Sequence, residues 1–350
     1  MESNNEPNES GTCVFSRTAA YRESRKCFSL VSRTQLGAGD GDDYNFDEDD
    51  NPLLDLEELL KQTWNIHGVS ILFNFHSDNE VLMKQYAKKL REEVATILSQ
   101  ENVTYNAKIT VLNIRRPKET DHPVVKIEVF ATVFKQGSKD QSETTVYKGY
   151  LISWRTETSE APTWAGSTRL PLLLCRGTPN TMRAVHATLG RMFDCMFVLL
   201  SASAEDLRWL LPILISPCGG HDKPKKGDEA KLKFLVPGLP KSNSITIKFL
   251  VKDLAKMWKC FLGKDTIEAE EVDKFHEIIH TQILEISSLQ LGLCILNRLD
   301  LPLVTITENK MKAMDVETMN TVLAYFNEKA LDTLHINIIE LDMSNETTSS

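Results

Sequence analysis

The sequence predicts an α+β fold with a mainly antiparallel β-sheet, and three observations support this prediction. Segments typical of strands and segments typical of helices occur in blocks instead of alternating regularly, which disfavours a parallel α/β sheet. One central segment places Val125, Ile127, Val129, Ala131 and Val133 at every second position, the period of a strand with one buried face. With 350 residues, 41% of them hydrophobic, the chain can bury a core in one large or two small domains.

Residues 1–50 are predicted to form a disordered tail, because they are rich in Ser, Asn, Glu and Gly and have no periodic apolar pattern. Residues 17–33 combine basic residues with serines and threonines, a composition that basic-directed kinases can recognise. Residues 40–50 then hold seven acidic residues. We interpret this acidic run as a solvated spacer, with an acidic docking tail as the alternative.

The first folded half is expected at residues 51–216. Asn51 and Pro52 favour the start of a short helix that ends at Trp64, and a strand is predicted around residues 69–75. A capping box at residues 77–80 predicts the start of a long helix. The remaining elements of this half are strands at 103–114, 124–134 and 145–154, a hairpin loop at 136–140, a turn at 177–180 and a helix that runs to Met192.

A segment rich in Pro, Gly and Lys at residues 217–227 is predicted to link this half to a second one at 228–343, followed by a disordered tail at 344–350. The second half is expected to contain strands at 232–236, 244–250, 293–297 and 303–307 and helices at 251–261 and 267–287. A further helix through Met319, Val322, Leu323 and Phe326 is expected to lead to a last strand at 334–341.

This last strand is a candidate partner interface. In a strand, Leu334, Ile336 and Ile338 share one face, while Ile339 and Leu341 share the other. An edge strand with apolar groups on both faces is a template for pairing with another chain. The alternative is a strand buried within the chain's own sheet.

A lysine-rich segment is a candidate surface for nucleic acid. The chain carries a net charge of −9, yet residues 222–264 contain eleven lysines and four acidic residues. Such a segment attracts phosphate backbones without reading the bases, and it lacks the arginines typical of bidentate base contacts. Alternatives are a solvated lysine face or a nuclear import signal at 223–226. The candidate DNA-contacting residues are Lys223, Lys225, Lys226, Lys231, Lys233, Lys241, Lys248, Lys252 and Lys256.

One motif is typical of an enzyme. His276, Glu277 and His280 form the H-E-x-x-H pattern of zinc peptidases, in which the two histidines bind zinc and the glutamate activates water. The same predicted helix has an apolar stripe with the histidines at its flank, and no third ligand has the spacing of the longer zinc-peptidase pattern, whose further positions hold Ile283 and Ile286. We therefore interpret the histidines as structural, with a zinc-dependent hydrolase as the alternative function.

Several other classes of protein are disfavoured. No run approaches the eighteen apolar residues of a membrane span, and the N-terminus lacks the features of a secretory signal. Seven cysteines are scattered without a CxxC pair, which favours reduced thiols in the cytosol or nucleus. Neither a cofactor nor a small-molecule substrate is expected.

The order of several segments is the most informative feature of the chain. The central segment runs from Leu170 through Cys175, Phe193 and Phe197 to the Ala204–Pro212 stretch, and it resembles the centromere protein L family. The weaker flanking matches are the segments 59–64, 69–75, 148–154, 254–258 and 270–275, so that the resemblance covers about residues 53–307.

This resemblance implies a fold and a function. It implies an elongated, sheet-rich fold with helices packed on one side. It also implies a non-enzymatic subunit of the inner kinetochore, located in the nucleus at centromeres, that works with other inner kinetochore subunits. Its expected partners are centromere protein N, in a heterodimer, and centromeric nucleosomal DNA.

Overall fold

The computed structural model describes residues 27–29, 54–112, 122–134, 142–154, 166–216, 227–261 and 266–346. Of the predicted tail at 1–50, only residues 27–29 fall within the described part. The predicted link at 217–227 and the predicted tail at 344–350 lie mostly outside it. The domain boundaries therefore remain predictions.

The described residues up to 216 form nine strands, three α-helices and one 3₁₀ helix. They are β1 (Cys27–Ser29), a 3₁₀ helix (Leu54–Leu59), β2 (Trp64–Val69), β3 (Leu72–Phe73), α1 (Glu80–Leu98), β4 (Val103–Leu112), β5 (Val124–Val133), β6 (Ser142–Ile152), β7 (Ser167–Thr168), β8 (Leu172–Gly177), α2 (Pro179–Phe193), β9 (Phe197–Leu199) and α3 (Ala204–Ile215).

The described part of the late half adds six strands, three α-helices and one 3₁₀ helix. They are β10 (Glu229–Leu235), β11 (Ser244–Leu250), α4 (Val251–Lys259), β12 (Thr266–Glu268), α5 (Ala269–Ser287), a 3₁₀ helix (Leu291–Leu293), β13 (Ile295–Leu301), β14 (Val304–Thr307), β15 (Lys310–Ala313) and α6 (Val316–Glu346). Within the described residues, no helix is both long and apolar enough to span a membrane.

One antiparallel sheet crosses both halves. Its strand order is β11-β10-β13-β14-β15-β2-β8-β6-β5-β4, and β9 also pairs with β2. The early and late strands join where β15 pairs with β2, through Met311 opposite Trp64. Two short pairs, β1 with β12 and β3 with β7, lie outside this sheet. The predicted α+β class with a mainly antiparallel sheet is confirmed.

The sheet carries a separate core on each face. Leu172 and Leu174 of β8 belong to one buried cluster, whereas Leu173 and Cys175 belong to the other. Because successive side chains of a strand point to opposite faces, the two clusters lie on opposite sides of β8. We name them by their helices: α1 and α2 cover one cluster (the α1–α2 core), and α3 to α6 cover the other (the α3–α6 core). Helices thus cover one face at each end of the sheet, and the two ends use opposite faces.

Local signals explain several element boundaries. Thr178 caps α2 and Pro179 occupies its first turn, while Ser203 and Asp206 form a capping box at the start of α3. Asn79 caps α1 by accepting hydrogen bonds from the Val81 and Leu82 amides, so the predicted capping box at Ser77 is wrong. The predicted short helix is also wrong at its end, because Trp64 is the first residue of β2.

The predicted last strand is wrong as well, because residues 334–341 continue helix α6. Leu334 is nearly buried in this helix, at 7% exposure. The strand prediction used the alternation of Leu334, Ile336 and Ile338, but Leu334, Ile338 and Leu341 also fit the helical i, i+4, i+7 spacing. No Gly or Pro interrupts residues 316–341, so nothing in the sequence ends the helix before them.

Candidate functional site

Three of the predicted DNA-contacting lysines lie on one uncovered face of the sheet. Ala230, Leu232 and Phe234 of β10 are buried in the α3–α6 core, so the alternate residues Lys231 and Lys233 lie on the opposite face. Lys248 of β11 lies directly opposite Lys231 and therefore on the same face.

The neighbouring strands add three further cations to this face. Arg298 of β13 lies opposite Lys233. Lys310 and Lys312 of β15 alternate with Met311 and Ala313, which are buried in the α3–α6 core. We call this surface the late open face; its charged residues are Glu229, Lys231, Lys233, Lys248, Arg298, Asp300, Lys310 and Lys312.

Two ion pairs reduce the charge of the late open face. Lys248 contacts Glu229 at 3.2 Å, and Arg298 Nε donates to Asp300 Oδ2 at 2.7 Å. Among the described residues, no acidic side chain is paired with Lys231, Lys233, Lys310 or Lys312. The face therefore keeps an excess of positive charge that is open to solvent.

The other predicted DNA-contacting residues do not join this face. Lys223, Lys225 and Lys226 lie outside the described residues. Lys241 lies in the loop after β10 and contacts Glu308 at 3.0 Å. Lys252 and Lys256 are exposed on α4, and this helix buries Val251, Leu254 and Trp258 in the α3–α6 core, on the other side of the sheet.

Sequence reasoning missed Arg298, Lys310 and Lys312, because they lie outside the lysine-rich segment. A signal for β15 is present: Lys310, Met311, Lys312 and Ala313 alternate polar and apolar residues over the length of a short strand. Local sequence patterns do not predict that β13 pairs with β10 and that β14 and β15 follow it in the sheet. This strand order brings Arg298, Lys310 and Lys312 onto the same face as Lys231 and Lys233.

The early strands carry a charged cluster on the face opposite the α1–α2 core, and the Lys126 and Lys148 side chains in it are 14% exposed. There Glu58 accepts hydrogen bonds from the Tyr150 hydroxyl at 2.5 Å and from Lys126, and it lies 3.5 Å from the Lys148 ammonium. The Tyr150 hydrogen bond and then the Lys126 ammonium lower the pKa of Glu58 to about 2. Glu58, in the 3₁₀ helix before β2, is therefore a carboxylate near neutral pH, and its contacts hold this helix onto the sheet.

The residues predicted as the partner interface are all in α6. Leu334 belongs to the buried part of the helix, and Ile336, Ile338, Ile339 and Leu341 lie in its C-terminal part. A sheet edge in the late half is nevertheless present, because β11 pairs with β10 alone among the described strands. The interface itself remains a prediction, now with a helix in place of a strand.

The H-E-x-x-H residues do not fit a zinc site. His276 is 2% exposed, and its Nε2 lies 3.0 Å from the backbone carbonyl oxygen of Arg208, which can only accept, so this nitrogen carries a proton and donates. Burial lowers the pKa of His276 to about 3. Glu277 is exposed on the solvent side of α5. The donating Nε2 of His276 has no free lone pair for zinc, and the described residues contain no group of three side chains able to hold a metal ion. We therefore assign His276 as a structural residue that ties α5 to α3.

Comparison with known proteins identifies one family whose model matches most of the chain. The family model described as centromere protein L matches residues 58–331, which span β2 to the buried part of α6. A search of curated proteins gave no match. Because the family model covers well over half of the chain, this protein belongs to the centromere protein L family.

Proposed function

We propose that this centromere protein is a non-enzymatic subunit of the inner kinetochore that forms a heterodimer with centromere protein N and contacts centromeric nucleosomal DNA. Membership of the centromere protein L family supports the location and the class of complex. We place the DNA contact on the late open face and the partner contact on the C-terminal part of α6 together with the β11 edge.

The late open face carries the DNA part of this proposal. Lys248, Lys231, Asp300, Thr305 and Lys312 form a row across five neighbouring strands, because each lies opposite the next in the register. Neighbouring strands are about 4.8 Å apart, so this row extends roughly 19 Å across the sheet. With three lysines and one acidic residue, this row has a net positive charge that suits phosphate groups along a duplex, and it has few groups able to read bases.

The partner part of the proposal is supported by the composition of α6 and by the free edge of β11. Five of the eight residues at 334–341 are Leu or Ile, more than a solvated helix end needs. β11 offers a regular seven-residue edge to an added strand. Both features belong to the late half of the chain.

The DNA contact is tested by salt dependence. In the heterodimer with centromere protein N, the triple variant Lys231→Ala/Lys233→Ala/Lys312→Ala is compared with the double variant Lys252→Ala/Lys256→Ala. Each phosphate contact contributes about 0.9 to the slope of log affinity against log salt, so the triple variant is expected to lower the slope by roughly 2–3. The double variant is expected to leave it unchanged. An unchanged slope in the triple variant, or an equal loss in both, contradicts the assignment.

The partner contact is tested by truncation. Leu334 is buried in the core, so the chain is ended after it, and residues 335–350 are removed. The truncated chain is expected to keep its melting temperature and to lose co-purification with centromere protein N. Full retention of the partner by a folded, truncated chain refutes a contact through this part of α6.

A further inference from the structure

The edge of the sheet opposite β11 is formed by β4, and it is long and regular. β4 pairs with β5 over ten residues without a break in register, and among the described strands it has no second neighbour. Proteins normally protect such an edge with a bulge, a proline or a very short strand. β4 contains no proline and no bulge, which leaves an edge able to accept another strand.

Two hydrogen bonds show which backbone groups of β4 point outward. The Phe134 amide donates to the Asn102 carbonyl at 2.9 Å, so the register pairs even-numbered residues of β4 with β5 through hydrogen bonds. The Ala107 amide donates to the Asn106 side chain at 3.0 Å, as expected for an amide that faces away from β5. The amides and carbonyls of Tyr105, Ala107, Ile109 and Val111 therefore face the open edge.

A groove of about 620 Å³ follows this edge between β4 and helix α1. Met83 and Ala87 of α1 and Ala107 and Ile109 of β4 give it an apolar floor.

The rim of the groove is mainly basic. Lys84, Lys88 and Arg91 lie along α1, and Lys108 of β4 also lines the groove. The acidic residues Asp78 and Glu80 lie at the start of the helix, where Glu80 contacts Lys84 at 2.7 Å. Beyond that end, the groove is positively charged.

We propose that this groove binds an extended partner peptide that adds to the sheet as a strand beside β4 and presents both apolar and acidic side chains on the face towards α1. The outward amides and carbonyls of β4 supply the backbone hydrogen bonds, the apolar floor takes the apolar side chains, and Lys88 and Arg91 of α1 pair with the carboxylates. This proposal is independent of the DNA contact, which uses the other end of the sheet.

Other occupants fit the groove less well. A nucleic acid would use the cations but would leave the apolar floor and the outward amides without a match. A second copy of the chain would bring two basic rims together. An acidic peptide satisfies the charge, the floor and the backbone groups at once.

The test uses the full chain and a labelled twelve-residue peptide of the repeat Val-Thr-Glu-Thr, which places Val and Glu on one strand face, with a Val-Thr-Lys-Thr peptide as control. Fluorescence anisotropy is expected to report binding of the acidic peptide alone. Lys88→Glu/Arg91→Glu is expected to weaken it at least 10-fold, whereas Lys252→Glu/Lys256→Glu on α4 leaves it unchanged. Equal weakening by both pairs shows unspecific charge attraction and overturns the proposal.

Two further measurements test strand addition. Ala107→Pro removes an outward amide that β5 does not use, and it is expected to weaken binding at least 10-fold in a chain with unchanged melting temperature. Hydrogen exchange of the unmodified chain is expected to slow at residues 103–112 when the peptide binds. Exchange that slows elsewhere and not in β4 overturns the proposal. The proposal is also overturned if the peptide binds only after the acidic residues at 40–50 are replaced by their amides. In that case the groove's occupant is the acidic segment of the chain itself.

Discussion

A buried ion pair joins α6 to α3. Asp206 is fully buried in α3, and its carboxylate accepts hydrogen bonds from the Tyr325 hydroxyl at 3.0 Å and from the Ser203 amide at 2.7 Å. It also contacts the Lys329 ammonium, which donates to the Ser201 carbonyl at 2.6 Å. Burial alone raises the pKa of Asp206, but the Lys329 ammonium outweighs it and lowers the pKa below its ordinary value.

Lys329→Met should therefore be strongly destabilising. Methionine fills a similar volume, but it leaves the Asp206 carboxylate without its cation in a site that water does not reach. Removing one partner of a buried pair costs about 3–5 kcal/mol, against a total stability of about 5–15 kcal/mol for a typical domain. In the double variant Asp206→Asn/Lys329→Met, which has neither charge, at least half of this loss should be recovered.

Urea unfolding followed by circular dichroism measures these changes at pH 7, with the unfolding slope as a check that the cooperative unit is unchanged. The pH dependence gives a second criterion. In Lys329→Met the pKa of Asp206 should rise, so protonation relieves the buried charge and the gap to the unmodified chain narrows as pH falls. A loss below about 1 kcal/mol at pH 7 refutes the energetic role of the pair, because it would lie in the range of an exposed ion pair.

Three further predictions concern single residues. Burial lowers the pKa of His276 to about 3 from its ordinary 6.5, so the unfolded chain binds an extra proton between these values. Between pH 6.5 and about 3, His276 alone should lower the free energy of unfolding by up to about 1.4 kcal/mol per pH unit as the pH falls. His276→Gln should therefore flatten the profile of urea midpoint against pH. An unchanged profile contradicts this. Gly177→Ala places a methyl group 2.5 Å from a backbone carbonyl oxygen of β6, whereas Gly292→Ala meets its nearest atom at 3.9 Å and has no positive φ. The first should cost about 1–3 kcal/mol in unfolding experiments and more than the second, and equal costs would show that β6 adjusts freely. Asn79→Ala should cost about 1 kcal/mol and Ser77→Ala much less, and the reverse order in thermal melts would place the cap of α1 at Ser77.

Strands β4 and β5 were predictable because apolar, buried residues alternate along them with more exposed ones. Ile127, Val129 and Ala131 of β5 are buried in the α1–α2 core, and their alternation with polar residues is visible in the sequence. β11 was predictable for a similar reason, since its polar and half-buried residues alternate.

Helix α6 was harder to recognise beyond Phe326 because it is surrounded by protein. Nine of the ten residues from Thr321 to Ala330 are buried, so this stretch has no polar face to mark the helical period. Without that period, the short alternation after Leu334 favoured a strand.

The late open face was only partly predictable. The lysines of β10 and β11 are close in sequence, and their hairpin pairing is local. Lys312 is about eighty residues away from Lys231 along the chain, and it reaches the same face through three successive strand pairings. Such pairings depend on how the whole sheet assembles, which local sequence patterns do not encode.

Site-specific crosslinking tests most directly whether the late open face contacts DNA. A photoreactive amino acid replaces Lys312 in one sample and Lys252 in another, and each heterodimer with centromere protein N is bound to a nucleosome and irradiated. We expect a DNA adduct from position 312 and none from position 252, which lies on the opposite side of the sheet. An adduct from position 252 with none from position 312 would contradict the assignment of the late open face as the DNA-contacting surface.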